Sequence, residues 1–152
     1  MLYNLAKDSG GIIQGYEFAM MRPLIAFLTV FIAFPAIDLV WLGFIARDFY
    51  RSRLGTMMAD QPILWAAVLF YAVYALGEVW FAVLPALHAH NWRIAMTQGA
   101  VMGFVAYATY DLTNYATLRH WSLALSLTDL AWGTVLSALV GVIAYGATSA
   151  LT

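Results

Sequence analysis

Four apolar stretches, about residues 23–45, 62–87, 94–116 and 123–147, each reach the roughly 20 residues an α-helix needs to cross the hydrocarbon core of a bilayer. Nothing else in the chain limits its fold so sharply. In lipid every backbone N–H and C=O must be bonded internally, so stretches of this kind become helices. The links between them, residues 46–61, 88–93 and 117–122, leave no room for a soluble domain and force neighbouring helices to run antiparallel. The expected fold is therefore all-α, an integral membrane antiparallel bundle of four transmembrane helices. Charge agrees: 10% of residues are charged, against about 25% in soluble domains.

Residues 1–21 read differently. Lys7, Asp8, Gly10, Gly11 and Glu17 break up any apolar core, and the small-residue cleavage pattern of a signal peptide is missing. This stretch is expected to be a surface or partly disordered leader, with the bundle occupying residues 22–152. Pro23 suits a helix start. Pro35 cannot bond the carbonyl of Phe31, which predicts a kink in the first span. Pro85 marks the exit of the second.

Four acids lie inside the apolar stretches. A carboxylate there costs on the order of 3 kcal/mol on insertion scales, so it needs a partner or a proton. Asp38 lies nine residues before Arg47, Asp111 eight before Arg119, and Asp129 nine after His120. At about 1.5 Å per residue all three sit roughly 12–14 Å below one membrane face. Tyr107, Asp111, Asn114 and Tyr115 fall at i, i+4, i+7 and i+8, one polar stripe of the third span. Trp41 and Trp132 lie near the same depth. The expected binding residues are thus Asp38, Asp111, Asp129, Asn114, Tyr107, Tyr115, Trp41 and Trp132. Glu78 shares a face with Tyr71 and Tyr74 but falls in the other half of the bilayer, a second station on a polar path or a local feature that bonds Tyr71 or Gln98.

Three ionised carboxylates at one level require a cation or shared protons. A proton, an amine, a lipid headgroup and a divalent metal ion all meet that need. Aromatic faces favour an organic cation, and oxygen ligands favour Mg2+ or Ca2+. No cofactor is expected beyond such an ion. The competing reading makes the acids interhelical glue, for example Asp38 or Asp129 accepting from a tryptophan indole. The spacings Gly99/Gly103 and Gly133/Ser137/Gly141 read as close-packing ridges. His88 and His90 read as solvated loop residues, His120 as interfacial, and Phe49 and Tyr50 as an aromatic belt.

The absence of cysteine excludes disulfides and thiol catalysis. A net charge of −1 gives no basis for nucleic-acid binding. No nucleophile elbow, P-loop, HExxH or haem-attachment motif occurs. Whether the chain is an enzyme is left open by the residues. A small binding or carrier protein ranks first, with a homodimer needed for transport. An accessory subunit of a larger membrane complex ranks next, then a lipid-modifying enzyme with two aspartates as acid and base. Arg47, Arg51, Arg53 and Arg119 lie at the face nearest the aspartates, which the positive-inside rule places in the cytoplasm.

Residues 49–62 (Phe-Tyr-Arg-Ser-Arg-Leu-Gly-Thr-Met-Met-Ala-Asp-Gln-Pro), 107–114 (Tyr-Ala-Thr-Tyr-Asp-Leu-Thr-Asn) and 128–133 (Thr-Asp-Leu-Ala-Trp-Gly) resemble the signatures of a bacterial family of small membrane proteins, domain of unknown function 2177. The resemblance runs from about Met21 to Ala147. It implies a compact four-span protein of the bacterial inner membrane and carries no activity with it. Residues 1–20 fall outside it, and an acid at Glu78 is not part of the expected pattern.

Overall fold

The computed structural model describes the backbone of residues 2–59 and 61–152, and the side chains of residues 20–59 and 61–152. The leader expected over residues 1–21 lies, in its side chains, outside the described residues except for Met20 and Met21. Helix α1 (Leu2–Val40) continues into a π-helical segment, Trp41–Ile45. The short helix α2 (Arg47–Leu54) and a 3-10 turn (Gly55–Met57) fill the first link. Helix α3 (Leu64–Glu78), a second π segment (Val79–Val83) and α4 (Leu84–His88) form one unbroken helical rod. Helices α5 (Trp92–Thr117) and α6 (Leu123–Leu151) complete the chain, and no strand occurs among the described residues.

Three rods are long and apolar enough to cross a membrane: Met20–Ile45, Leu64–His88 and Leu123–Leu151. Their outward faces carry large apolar residues such as Leu24, Ile32, Trp65, Val73, Trp80 and Val135, each more than half exposed. Soluble monomers rarely show contiguous apolar surface of this extent. Helix α5 is 26 residues long, but its mean hydropathy is lower.

The prolines act differently from expectation. Helix α1 keeps both Pro23 and Pro35 inside it, so Pro23 does not begin the helix. Pro85 occupies the first turn of α4 rather than marking an exit. The π segment ahead of it gives the physical reason, because its wider turn re-registers the carbonyls that a missing N–H would leave without a donor. Tight turns join the later helices. Asn91 caps α5, its side chain accepting from the Arg93 N–H at 3.0 Å, and Ser122 caps α6 by accepting from Leu125 N–H. His90 and His120 take the left-handed backbone (φ 49° and 64°) that reverses the chain after α4 and after α5.

The core forms where small residues let helices close. On α1, Ala26, Val30 and Phe34 recur every four residues and end on Asp38. They pack on Tyr74, Ala75, Val79 and Val83 of the second rod and on Leu136, Val140 and Ala144 of α6. Helices α5 and α6 share the most extensive contact. Its seam runs through Ala95, Gly99 and Gly103 on α5 and Gly133, Ser137 and Gly141 on α6, all buried. A Cβ added at Gly103 would meet the carbonyl oxygen of Gly133, and one at Gly133 would meet the ring of Tyr107. The two backbones approach to a distance only glycine permits.

Candidate functional site

The aspartates of α1 and α6 are held by aromatic donors. Asp38 is buried, yet each of its oxygens has a partner: Tyr71 Oη donates to Oδ2 at 3.0 Å and Trp132 Nε1 donates to Oδ1 at 2.9 Å. One carboxylate thus ties α1 to α3 and α6. Asp129 accepts on Oδ1 from the hydroxyl of Tyr50, and Tyr50 Oη accepts in turn from Trp41 Nε1 at 3.2 Å. The indoles of Trp41 and Trp132 stack face to face, 4.3 Å between centroids and 9° between planes. Asp38, Asp129, Trp41 and Trp132 therefore form one assembly. The indole partner considered for the aspartates in the sequence is present at Asp38.

Asp111 lies on α5. Its side chain is fully buried and neither oxygen has a hydrogen-bond partner among the described residues. Ser126 Oγ, which accepts from Trp121 Nε1 at 3.0 Å, contacts its backbone carbonyl at 3.4 Å. Asp38, Asp129 and Asp111 thus come from three different helices, α1, α6 and α5. Among the described residues no three His, Cys, Asp or Glu side chains gather so as to hold a metal ion. Of the remaining stripe, Tyr107 packs on Gly133, Asn114 is half-buried and Tyr115 is exposed.

A cleft of about 270 Å3 opens between α3 and α5. Phe70, Tyr74, Ala106, Tyr107 and Tyr110 line it, and Asp129 from α6 closes it. Phe70 and Tyr110 are 47% and 61% exposed, which puts its mouth on the bundle's flank. Tyr74 Oη and Ser137 Oγ share a 2.6 Å hydrogen bond behind it. Glu78 lies apart from the aspartates. It is fully buried and bonds neither Tyr71 nor Gln98.

Tyr50 is the member of this hydrogen-bonded network that pattern reading misses. It sits in a link, where an aromatic reads as interfacial belt, but the π segment Trp41–Ile45 and helix α2 fold that link back beneath Asp129. Burial first, then the Asp129 carboxylate, push the Tyr50 phenol above its ordinary value of 10.0. The unfolded chain ionises as pH rises past 10.0 while the folded chain keeps this proton, so the stabilisation is complete below that pH and is lost above it. Tyr50→Phe is expected to cost about 1–2 kcal/mol at neutral pH. It should also flatten the alkaline decline of stability in detergent melts. An alkaline profile identical to wild type would remove Tyr50 from the network.

Neither a curated protein nor a solved structure matches the chain. One family does match, over residues 23–146, which takes in Asp38, Asp111, Asp129 and the aromatic cleft: the chain belongs to the family described as predicted membrane protein, DUF2177.

Proposed function

We propose that the chain is a small four-span membrane protein that binds an organic ammonium group in the aromatic cleft, with Asp129 as counter-charge. One observation carries the reading. Asp129 is the aspartate that lines the cleft, and among the described residues its Oδ2 has no donor, while Asp38 has both oxygens engaged. A cation at that oxygen would be flanked by the rings of Tyr74, Tyr107, Tyr110 and Phe70, which attract it through their π faces. An ammonium suits this wall better than a metal ion, because a metal needs several oxygens and the cleft offers one carboxylate amid aromatic carbon. The cleft falls just below the range of about 300–1,000 Å3 typical of drug-sized ligands, so the occupant is small or inserts only its head. The lateral mouth suits an amphiphile arriving through the bilayer.

Helix α5 is the fourth span in this reading. At about 1.5 Å per residue its 26 residues exceed the roughly 30 Å hydrocarbon core. Its exposed threonines hide their hydroxyls. Thr97, Thr109 and Thr117 donate to the carbonyls of Arg93, Val105 and Thr113, at 2.9, 2.7 and 2.7 Å. A helix that bonds its own hydroxyls can face lipid despite a lower hydropathy.

The test compares benzylammonium with benzyl alcohol by calorimetry on the protein in nanodiscs, with empty nanodiscs subtracted. The amine should bind more tightly. Asp129→Asn should weaken it by about 30-fold, the equivalent of about 2 kcal/mol for a lost charge-assisted bond, and leave the alcohol unchanged. Equal binding of the two probes, or an unaltered amine affinity in the variant, would sink the reading.

A further inference from the structure

Glu78 ends α3, immediately before the π segment, and no part of it reaches the surface. Neither Oε1 nor Oε2 has a hydrogen-bond partner among the described residues. Its carboxyl is aimed into the crossing of α5 and α6. A Cβ added at Gly99 would lie 2.7 Å from Oε1 and 2.7 Å from the Ser137 carbonyl oxygen. One added at Gly141 would lie 3.0 Å from Oε1 and 2.8 Å from the Ala95 carbonyl oxygen. The two glycines therefore make the room this acid occupies, and backbone carbonyls flank it. Tyr74, one turn back on α3, is the titratable neighbour that senses its charge. No charged side chain acts on it from α1, α5 or α6 among the described residues.

We propose that Glu78 is a proton-binding site, a carboxylic acid that holds its proton in the glycine-lined notch and exchanges it with the surroundings. The chemistry of the notch selects the neutral form. A carboxylate accepts hydrogen bonds and needs donors; the backbone groups that flank the two glycines beside Oε1 are the carbonyl oxygens of Ser137 and Ala95, which are acceptors. A protonated acid reverses the match, because its O–H can donate to the carbonyl of Ala95 or Ser137. Space disfavours larger cations. A single methyl on either glycine already meets Oε1 at 3.0 Å or less, so the two glycine faces leave little room beside that oxygen for a metal ion with its oxygen shell. The proton needs no volume. The adjoining π segment, Val79–Val83, fits this role, since such turns recur at functional sites. The inference stands independently of ammonium binding at Asp129.

The chain has two glutamates, Glu17 and Glu78, so carboxyl-13C glutamate isolates them in the infrared spectrum of the full chain in lipid vesicles. At neutral pH one labelled band should be that of an un-ionised acid. Glu78→Gln should remove it, and Glu17→Gln should leave it. If Glu78→Gln does not fold, Glu17→Gln still assigns the band, because one labelled glutamate remains. The band should shift on transfer to D2O and vanish reversibly as pH rises. Asp129→Asn should not affect it. An ionised Glu78 at neutral pH would overturn the proposal. So would an acid band indifferent to both D2O and pH, or a band lost on adding sodium or magnesium at fixed pH.

Discussion

Gly103→Val is expected to lower the stability of the folded bundle by about 3 kcal/mol or more, at or beyond the upper end of overpacking effects. Gly103 is buried against α6. A Cβ there would lie 2.5 Å from Ser137 Oγ and 2.8 Å from Ser137 Cβ, in addition to meeting the carbonyl oxygen of Gly133. Two of these three obstacles are fixed to the α6 backbone, so no rotamer change relieves them. Valine adds two further carbons at the same point. Helices α5 and α6 would have to separate, and they share the largest interface in the fold. Gly146→Val is the matched control, since nothing lies within 4 Å of a Cβ at that position. Unfolding both variants by SDS titration of detergent micelles, followed by circular dichroism, should separate them clearly. Coincident midpoints would mean that the α5–α6 crossing is drawn wrongly.

Asp38→Ala should have the second largest effect. The change leaves Tyr71 Oη and Trp132 Nε1 without their acceptor, and each stranded donor costs about 1–3 kcal/mol. Removal of a buried carboxylate offsets part of this, for a net loss of about 2–4 kcal/mol. Asp38→Asn keeps one carbonyl oxygen and should cost less than the alanine change. The cycle with Tyr71→Phe tests the assignment further: once Tyr71 has lost its hydroxyl, Asp38→Ala should become milder. Strict additivity would show that the two side chains do not interact. Trp132 supplies an optical check, because its indole loses a hydrogen bond while stacked on Trp41.

Much of this arrangement could be read from residue order. Apolar run length located the rods, and the four-residue recurrence from Asp129 through Gly133 and Ser137 to Gly141 marked the seam that α6 presents to α5. The pairing of Trp41 and Trp132 with the acids followed from depth alone. What stayed hidden depends on where a neighbouring helix happens to lie. The notch around Glu78 is built by glycines of two other helices, so no local pattern announces it. Tyr71 looked like a partner of Glu78 because both lie on one face of α3, yet its hydroxyl reaches across to α1. The π segments arise from packing and proline placement and leave no periodicity of their own. Tyr115 shares the polar stripe with Tyr107 by its i+8 spacing, but eight residues advance a helix by about 80° beyond two full turns. That rotation carries its ring away from α6, in keeping with its 47% exposure.

The docking of α1 onto α6 bears on how the chain is assembled during synthesis. Ala26, Val30, Phe34 and Asp38 leave the ribosome early, whereas Leu136, Val140 and the indole donor of Trp132 emerge only after two further long helices. Until then one oxygen of Asp38 has no protein donor, and the first helix has only part of its seat. The hairpin of α5 and α6, joined by a short turn, can zip on its own, and its arrival completes the socket that fixes the earliest segment. Release of a nascent chain before residue 132 would thus strand a half-satisfied acid in lipid.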